Sequence, residues 1–383
     1  MFSYVDSVGP EQLELLRRLV DIDSDTFNKP GVDAAGSILA GELEKLGLQV
    51  RVVPQHEVGN HLLGYKPGTA GRDVLLVGHL DTVHPRGSAL AHPFRIEGER
   101  AYGPGVYDMK GGLVVALFAL KALREKRPAT WNSVGVRLVF NSDEETGSDT
   151  SRELIAGQAR SAAAACILEA ARQGGEYVSQ RKGVGTFTLT VQGKSAHAGA
   201  QPELGANSIA ELATKVVALQ GLNGSDSGFS VNVGVIRGGE RANVVPALAE
   251  CQIDVRVTEA AAVERAHAQL RRIAASVSVP GTRAVLSGGF KHYPMTASPG
   301  QQALFSLLEK AGAEVGFAVR QAATGGASDG NTTSRYTPTL DGMGPRGDLA
   351  HSLDEYVVVD SLPERTKALA RFIELWSQAG HPA

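Results

Sequence analysis

The chain has 383 residues, more than one hydrophobic core usually organises, so two domains are expected. Hydrophobic residues make up 43% and charged residues 21%, a balance that is typical of globular proteins and excludes a disordered or fibrous chain. The formal net charge of −3 argues against nucleic acid or an anionic membrane as a partner.

The cysteines and the N-terminal residues bear on the cellular compartment. Cys166 and Cys251 each lie within an apolar run, and we expect both to be small buried residues rather than members of a disulfide or a metal site. The first residues lack a basic segment followed by an apolar one, and no run of about 18 apolar residues occurs. These features predict a cytoplasmic protein without a membrane segment.

The first part of the chain alternates helical apolar spacing with short runs rich in valine and leucine. This alternation predicts an α/β domain with parallel strands and crossover helices. Gly47 follows the second helix, where glycine tolerates the left-handed conformation of a helix end. The predicted elements are helices over 11–22, 34–46 and 111–126 and strands over 74–77, 134–140 and 165–168.

Each of these predicted strands leads directly into polar side chains. The clusters occupy 78–81, 141–145 and Glu169. In open α/β sheets, ligands bind beyond the carboxyl ends of the strands. We therefore expect the three clusters to converge on one site.

Between about residues 178 and 289, the pattern changes to strands with one solvated face. The predicted order is β-α-β-β-α-β, that of a ferredoxin-like antiparallel domain. The sequence thus predicts an outer domain in two parts, 1–177 and 290–383, with a domain over 178–289 inserted into it. The inserted elements are strands over 186–191, 229–236, 248–257 and 284–286 and helices over 208–222 and 260–277.

His79 and Asp81 lie two residues apart at a strand end, so their side chains should leave the same face. A metal-bound imidazole usually donates its second N–H to a carboxylate, and Asp81 is the candidate partner. Taken alone, such a pair more often consists of ordinary polar residues on the surface or in a loop. Asp108 taken alone could likewise serve only as a cap for the helix that begins near Gly111.

Glu144 and Glu145 are more informative because adjacent carboxylates after a buried strand repel each other and lose hydration. A metal ion would supply the missing compensation. One carboxylate could then coordinate while its neighbour accepts a proton from water and delivers it to a leaving amine. The alternative is a solvated acidic loop before the helix near Ser151.

A further carboxylate and imidazole extend the candidate set. Glu169 ends an apolar strand, and His351 follows the glycine-rich segment 342–348. Imidazole and carboxylate together suit zinc, and the same donors accept cobalt or manganese. The remaining histidines are interpreted as surface or packing residues, apart from one considered below: His56, His61, His84, His92, His267, His292 and His381.

Three segments resemble motifs of the zinc-dependent M20 metallopeptidases. They are GHLDTV at 78–83, YGPGVYDMKGG at 102–112 and DEETGS at 143–148. The resemblance covers nearly the whole chain after the first helix and is strongest to the glutamate carboxypeptidase (carboxypeptidase G2-like) branch. It implies a zinc-peptidase-type catalytic domain with a mixed, largely parallel sheet flanked by helices. It also implies that the inserted ferredoxin-like α+β domain is a lid and a dimerisation surface.

The resemblance further implies roles for the polar residues. Two Zn²⁺ ions per chain would share Asp108 as a bridging ligand, and Glu144 would be the general base. Asp81 would orient the imidazole of the first ligand. The other metal ligands would be His79 and Glu169 for one ion and Glu145 and His351 for the second.

Three parts of the inserted domain also match the family. GKSAHAG at 193–199 resembles the segment whose histidine, here His197, stabilises the oxyanion, often from the partner subunit of a dimer. Asn243 and Arg256 match substrate-contacting positions, and Arg256 would pair with the terminal carboxylate of the substrate. Without the resemblance, Arg256 would be interpreted as a solvated strand residue.

The glycine loop over 325–330 resembles one whose backbone N–H groups bind a substrate carboxylate, here at Gly325 and Gly326. An ordinary turn before a helix is the alternative. Two departures concern the substrate: Glu169 is followed by alanine where the branch usually has proline, and Tyr177 stands where glutamate-releasing relatives have a basic residue. Release of glutamate itself is therefore not implied.

The sequence and this resemblance together predict a dizinc carboxypeptidase that acts on a small peptide or an N-acyl amino acid and forms a homodimer through the inserted domain. The alternative within hydrolases is a deacylase of the acetylornithine or succinyl-diaminopimelate type, with the same metals and a different pocket. An alternative of another class is a catalytically silent metal-binding protein. Glu144 argues against it, because such a protein needs no base beside five ligands. Dinucleotide binding is excluded, since no G-x-G-x-x-G motif follows the first predicted strand.

Overall fold

The computed structural model describes residues 1–224 and 228–379. These residues form two compact units. The first comprises Met1–Gln180, Ala297–Ala323 and the chain from Ser328 onward. The second comprises Arg181–Thr296 and Thr324–Ala327. It extends beyond the end of the predicted 178–289 segment and includes the first three residues of the glycine loop.

The helices and strands are numbered in chain order. The helices are α1 (Phe2–Ser7), α2 (Gly9–Val20), α3 (Lys29–Lys45), α4 (Ser88–Ala91), α5 (Gly111–Lys126), α6 (Pro128–Ser133), α7 (Arg152–Arg160), α8 (Ser208–Gln220), α9 (Ala260–Ala275), α10 (Pro299–Val315), α11 (Gly330–Thr333) and α12 (Ser361–Gln378). The strands are β1 (Gln49–Val53), β2 (His61–Lys66), β3 (Asp73–His79), β4 (Arg95–Glu97), β5 (Arg100–Tyr102), β6 (Gly135–Asn141), β7 (Ala164–Ile167), β8 (Tyr177–Arg181), β9 (Gly183–Gln192), β10 (Phe229–Gly238), β11 (Leu248–Val257), β12 (Arg283–His292), β13 (Gln321–Thr324), β14 (Thr339–Leu340), β15 (Gly347–Asp348) and β16 (Tyr356–Val358).

The main sheet of the first unit has the strand order β1-β2-β6-β3-β7-β14. Strands β6, β3, β7 and β14 are parallel, and β2 is antiparallel to β6. The two faces of β3 enter different cores: Val74 and Leu76 pack with α5, whereas Leu75 and Val77 pack with α7. Burial on both faces explains the continuous apolar run of β3. The predicted mixed, largely parallel sheet flanked by helices is confirmed.

The parallel strands bring their carboxyl ends to one edge of this sheet. β3 ends at His79, which is directly opposite Asn141 at the end of β6. β7 lies on the other side of β3 and ends at Ile167, two residues before Glu169. The three polar clusters that follow these strands are therefore neighbours.

A small antiparallel sheet in the first unit was not predicted. Its strand order is β15-β16-β5-β4. The segment between β15 and β16 carries His351, and Tyr356 of β16 pairs with Tyr102 of β5. Strands of two or three residues are too short to show a period of two, so the sequence pattern did not reveal them.

The second unit has the antiparallel strand order β10-β11-β9-β12 with helices α8 and α9. The predicted β-α-β-β-α-β order and the ferredoxin-like arrangement are confirmed. Alternate residues of β9 and β11 are buried, which fits a sheet with one face covered by the two helices. Within the described residues, no helix is long and apolar enough to cross a bilayer.

Candidate metal centre

Six side chains of the first unit gather at the carboxyl ends of the parallel strands, and we call them the metal cluster: His79, Asp108, Glu144, Glu145, Glu169 and His351. The Nε2 atom of His79 lies 3.2 Å from Asp108 Oδ1 and 3.5 Å from Glu169 Oε1. The Nε2 atom of His351 lies 3.2 Å from Asp108 Oδ2 and 3.3 Å from Glu145 Oε2. The two oxygens of Asp108 thus face two different imidazoles.

Four of these residues, Asp108, Glu144, Glu145 and His351, lie in turns or have an unusual backbone conformation. Asp108 belongs to the turn Val106–Lys110, which follows Gly105 in the left-handed conformation at φ 74°. His351 itself has φ 65°. Glu144 and Glu145 form a short 3₁₀ turn after β6. The side chain of His79 is 1% exposed and that of His351 is 57% exposed, so the cluster opens on the His351 side.

Asp81 holds the cluster in a way that the sequence did not specify. Its backbone carbonyl oxygen, 2.9 Å from His79 Nδ1, accepts the hydrogen bond of the ring, while its carboxylate lies 3.5 Å away. That carboxylate accepts hydrogen bonds from the backbone N–H groups of Glu144 and Glu145 at 3.3 and 3.2 Å. It also accepts one from the Thr26 hydroxyl at 2.7 Å. Asp81 therefore joins the first imidazole to the adjacent carboxylates.

Thr26 was missed because it lies far from Asp81 in the sequence and carries no local motif. Asp329 was not predicted as a site residue either, although it lies in the glycine loop 325–330. Its carboxylate is buried and accepts a hydrogen bond from the Ser148 hydroxyl at 2.7 Å. Burial raises the pKa of Asp329 to about 7, and the nearby Glu169 adds to this rise.

The pKa values show how crowded the negative charges are. Burial raises the pKa of Glu144 well above its ordinary value, and Glu169 adds to the rise. Burial also raises the pKa of Glu145 to about 7, although its hydrogen bond with His351 opposes the change. Four carboxylates packed this closely need positive charge to remain ionised.

The imidazoles respond in the opposite direction. Burial disfavours the charged form of His79, yet the nearby carboxylates of Asp108, Asp81 and Glu169 outweigh it, and the pKa of His79 is raised. Hydrogen bonds to Asp108 and Glu145 raise the pKa of His351 to about 10. Burial opposes ionisation of Asp108, but the two imidazoles beside its oxygens outweigh this and lower its pKa.

The donor set fits divalent cations. His79 Nε2 and Glu145 Oε1 are buried and have no hydrogen bond of acceptable geometry. Buried polar atoms are rarely left in this state, and metal coordination is one of its explanations. Across residues 1–224 and 228–379, the groups that could hold a metal are His79–Glu144–Glu169 and His79–Asp108–Glu145, each with ligand atoms within 4.8 Å of one another. Both belong to the metal cluster.

The remaining predicted site residues lie in the second unit. His197 is exposed, and its Nδ1 atom accepts hydrogen bonds from the backbone N–H groups of Gly199 and Ala200, both at 3.1 Å. Its proton is therefore placed on Nε2, which can act as a donor. Asn243 is exposed beside it, and the Asn243 carbonyl accepts a hydrogen bond from Ala198 at 3.1 Å.

Arg256 is partly exposed and already engaged within its unit. Its guanidinium donates to both oxygens of Asp254, at 2.8 and 3.0 Å, and to the carbonyl of Gly325 at 3.3 Å. The carbonyl of Gly326 accepts a hydrogen bond from Arg181 at 3.3 Å. Both glycine carbonyls therefore face guanidinium groups.

Tyr177 and the other histidines have structural positions. Tyr177 is fully buried in the first unit, and the guanidinium of Arg365 lies 4.1 Å from its ring centroid. The tyrosine that stands in place of the basic residue of glutamate-releasing relatives is therefore part of the core of this unit. His56 is exposed, His92 and His267 are half-buried, and His61, His84 and His292 are buried, whereas His381 lies outside the described residues.

Sequence comparison places the chain in a known family. A sequence profile of Peptidase family M20/M25/M40 matches residues 75–375, so the chain belongs to that family. It is 31% identical to carboxypeptidase G2 of Pseudomonas sp. (strain RS-16), over 97% of this chain and 91% of that protein. It is also 26% identical to succinyl-diaminopimelate desuccinylase of Rhodospirillum centenum, over 98% of this chain and 100% of that protein.

A solved structure shows the same fold. The YXEP protein of Bacillus subtilis, a dinuclear metal-binding peptidase of the M20 family, superposes with a TM-score of 0.75 at 16% identity. The match covers 98% of this chain and 99% of that one. The fold therefore extends over both units of the chain.

Proposed function

We propose that the protein is a dizinc hydrolase that cleaves an amide or peptide bond next to a C-terminal amino acid with a free carboxylate. Asp108 carries this proposal, because its two oxygens lie 3.2 Å from the Nε2 atoms of His79 and His351. One carboxylate facing two imidazoles suits a ligand shared by two metal ions. The similarity to carboxypeptidase G2 supports the substrate class.

The metal cluster would hold one ion with His79 and Glu169 and the other with Glu145 and His351, with Asp108 shared. Zinc is proposed because imidazole nitrogen and carboxylate oxygen are its usual ligands beside thiolate, and the same donors would accept Co²⁺ or Mn²⁺. When bound, two such cations would polarise the scissile carbonyl group and make a water molecule more acidic.

Glu144 is proposed as the general base. Its carboxylate lies with His79 and Glu169 in one group of close ligand atoms, and its backbone is fixed by Asp81. In that position the Glu144 carboxylate would take a proton from the attacking water and return it to the leaving nitrogen. Asp81 is proposed to keep the His79 ring and the Glu144 backbone in a fixed relation, since it bonds to both.

The proposed substrate contacts are in the second unit. His197 would stabilise the oxyanion through its Nε2 proton, which the two backbone N–H groups at Nδ1 leave available. Arg256 would pair with the terminal carboxylate of the substrate, which must then compete with Asp254 for the guanidinium. Asn243 and the loop glycines Gly325 and Gly326 are proposed as further contacts, on the strength of the family resemblance.

A homodimer through the second unit is proposed as the assembly. β10 is an edge strand of its sheet, and edge strands leave backbone groups available for pairing. The exposed side chains Val235, Ile236 and Leu248 lie on this strand and its neighbour. A cytoplasmic location also stays a proposal, supported by Cys166 and Cys251, which are buried free thiols.

A deacylase is the second candidate, favoured by the similarity to succinyl-diaminopimelate desuccinylase over nearly the whole of both chains. The test is a panel of dipeptides and N-acyl amino acids, assayed with chelated enzyme to which zinc, cobalt or manganese is returned. We expect metal-dependent release of a C-terminal amino acid from dipeptides. Turnover restricted to N-acylated or N-succinylated substrates would favour the deacylase. Two bound metals without any turnover would favour a silent metal-binding protein.

A further inference from the structure

Glu355 is a buried carboxylate outside the metal cluster, at the residue before β16. It is 0% exposed and accepts hydrogen bonds from four donors. One oxygen, Oε1, accepts from His84 Nε2 at 2.6 Å and from the backbone N–H of Gly105. The other, Oε2, accepts from the backbone N–H groups of Tyr107 and Asp108, both at 3.2 Å. The carboxylate is thus saturated with donors.

These donors belong to two segments that carry ligands of the metal cluster. Gly105 to Asp108 form the turn from which the Asp108 side chain projects. His84 is 5% exposed and ends the segment that begins with His79 and Asp81 at the end of β3. Glu355 therefore bonds directly to the backbone of the Asp108 segment. Through the imidazole of His84, it also bonds to the segment that carries His79.

Glu355 also belongs to the segment of a third ligand. It follows His351 by four positions in a compact turn, where Ser352 N–H donates to Leu349 O and Glu355 N–H donates to Ser352 O, both at 3.1 Å. Leu349 and His351 both have positive φ, 64° and 65°. A turn of this kind fixes the position of Glu355 relative to the imidazole of His351.

The buried donors around Glu355 require an acceptor with two oxygens. The three backbone N–H groups of the Asp108 turn point into the protein, where an unpaired donor costs about 1–3 kcal/mol. A carboxylate can accept from all of them and from His84 at once, whereas an amide offers one acceptor oxygen. Lys110, whose ammonium is buried on the carbonyls of Ile22 and Pro104, supplies positive charge to the same region.

We propose that Glu355 is a positioning residue that sets the geometry of the metal pair by tying together the segments of His79, Asp108 and His351. The inference rests on the proposed role of Asp108 as a ligand shared by two ions. The carboxylate of Glu355 touches neither substrate nor metal. It acts by holding the Asp108 backbone in the position from which the two carboxylate oxygens of Asp108 face the imidazoles of His79 and His351.

The test is Glu355→Gln, which keeps the size of the side chain and replaces one acceptor by a donor facing backbone N–H groups. We expect zinc affinity, measured by competition with a chelator, to fall roughly ten- to a hundred-fold. The visible spectrum of the cobalt-loaded enzyme should change, and kcat at saturating metal should fall while KM changes little. The matched control is Glu374→Gln, another buried carboxylate, which pairs with Arg127 and Arg371 and contacts no ligand segment.

A second pair of variants covers the case in which Glu355→Gln fails to fold. His84→Phe removes one donor to Glu355 and should lower zinc affinity and change the cobalt spectrum in the same direction, but less. His84→Gln restores an N–H donor and should recover part of the loss. An unchanged cobalt spectrum and zinc affinity in Glu355→Gln would overturn the inference, as would an equal loss in Glu374→Gln. If Glu355→Gln does not fold, unchanged values in His84→Phe would overturn it.

Failure of the proposed function gives a different result. In that case the wild type would bind fewer than two metals, or Asp108→Ala would retain both. If the wild type binds two metals and Asp108→Ala loses them while Glu355→Gln is unaffected, the positioning role alone is wrong.

Discussion

Each unit of the protein contains a group of buried charges, and the two groups are balanced differently. In the metal cluster of the first unit, four carboxylates face two imidazoles, and two buried atoms have no hydrogen bond. In the second unit, the Lys215 ammonium lies 3.0 Å from a carboxylate oxygen of Glu211, and both side chains are 1% exposed. We call Glu211 and Lys215 the buried pair.

The buried pair finds its partners within the chain. The Lys215 ammonium donates to the carbonyl of Ile273 at 2.8 Å, near the end of α9. The carboxylate of Glu211 accepts from the backbone N–H groups of Ser278 and Val279 at 2.8 and 2.6 Å. Burial alone would raise the pKa of Glu211, but the hydrogen bonds from Lys215 and these N–H groups outweigh it and lower the pKa.

The difference shows how to separate a structural charge cluster from a functional one. Equal numbers of opposite charges with backbone partners are satisfied within the fold and need nothing from outside, and removing only one partner is costly. The metal cluster instead has an excess of carboxylates at strand ends, and added cations would balance that excess. Changes in the metal cluster should therefore alter metal binding and turnover, and changes in the buried pair should alter stability.

The largest effect is expected for Asp108→Ala. The wild type should bind two zinc ions per chain, and loss of the shared ligand should remove at least one ion and abolish turnover. Elemental analysis after dialysis against dilute zinc measures the stoichiometry. The matched control is Asp6→Ala, an exposed carboxylate that pairs with Lys367. A wild type saturated by a single metal would disprove the shared ligand.

The second largest effect is expected for Glu144→Gln, which distinguishes the proposed base from the metal ligands of the metal cluster. Glu144→Gln should keep both metals and lose kcat by a factor on the order of 10²–10⁴, because the amide cannot accept the proton. Glu153→Gln, an exposed residue in the first turn of α7, is the control. Metal content and turnover must be measured on the same preparation. Near-normal turnover with two metals bound would remove Glu144 from the mechanism.

The sequence predicted the elements of both units because their patterns are local. The helix α5 begins and ends as predicted, at Gly111 and Lys126, and β11 spans the predicted 248–257. The αL conformation predicted for Gly47 is present, with φ 85°. Polar residues directly after buried strands also predicted where His79 and Glu169 would lie, since parallel strands end at one edge of a sheet.

Contacts between distant segments could not be read in the same way. Glu355 bonds to residues about 250 positions earlier, and Thr26 bonds to Asp81 across 55 positions. Neither has a neighbour whose spacing reveals the contact. The role of the Asp81 carbonyl on the His79 ring was also hidden, because a sequence motif names side chains and the hydrogen bond uses the backbone.

His197 tests whether catalysis depends on a residue outside the metal cluster. His197→Ala should lower kcat roughly 10²–10³-fold, the usual cost of losing one oxyanion donor, with metal content and stability unchanged. The side chain is exposed, so its removal leaves no cavity. Refolding His197→Ala together with Glu144→Gln should restore activity if His197 acts across a dimer. Verified heterodimers without recovered activity would exclude that action.

The smallest effect on turnover is expected in the buried pair, where stability should change instead. Lys215→Met should destabilise the second unit by about 3–5 kcal/mol, because Glu211 keeps a buried charge without its cation. Glu211→Gln should cost less, about 1–3 kcal/mol, since the Lys215 ammonium still donates to backbone carbonyls.

Denaturant unfolding with and without zinc measures both variants. The loss of stability should be the same in the two conditions, whereas kcat per folded molecule and zinc stoichiometry should stay at the wild-type values. The double variant should lose less stability than the sum of the single variants, because each removes the partner that makes the other costly. If Lys215→Met instead lowered zinc affinity and left stability intact, the distinction between the two charge groups would fail, because charge balance would then not identify which group binds metal.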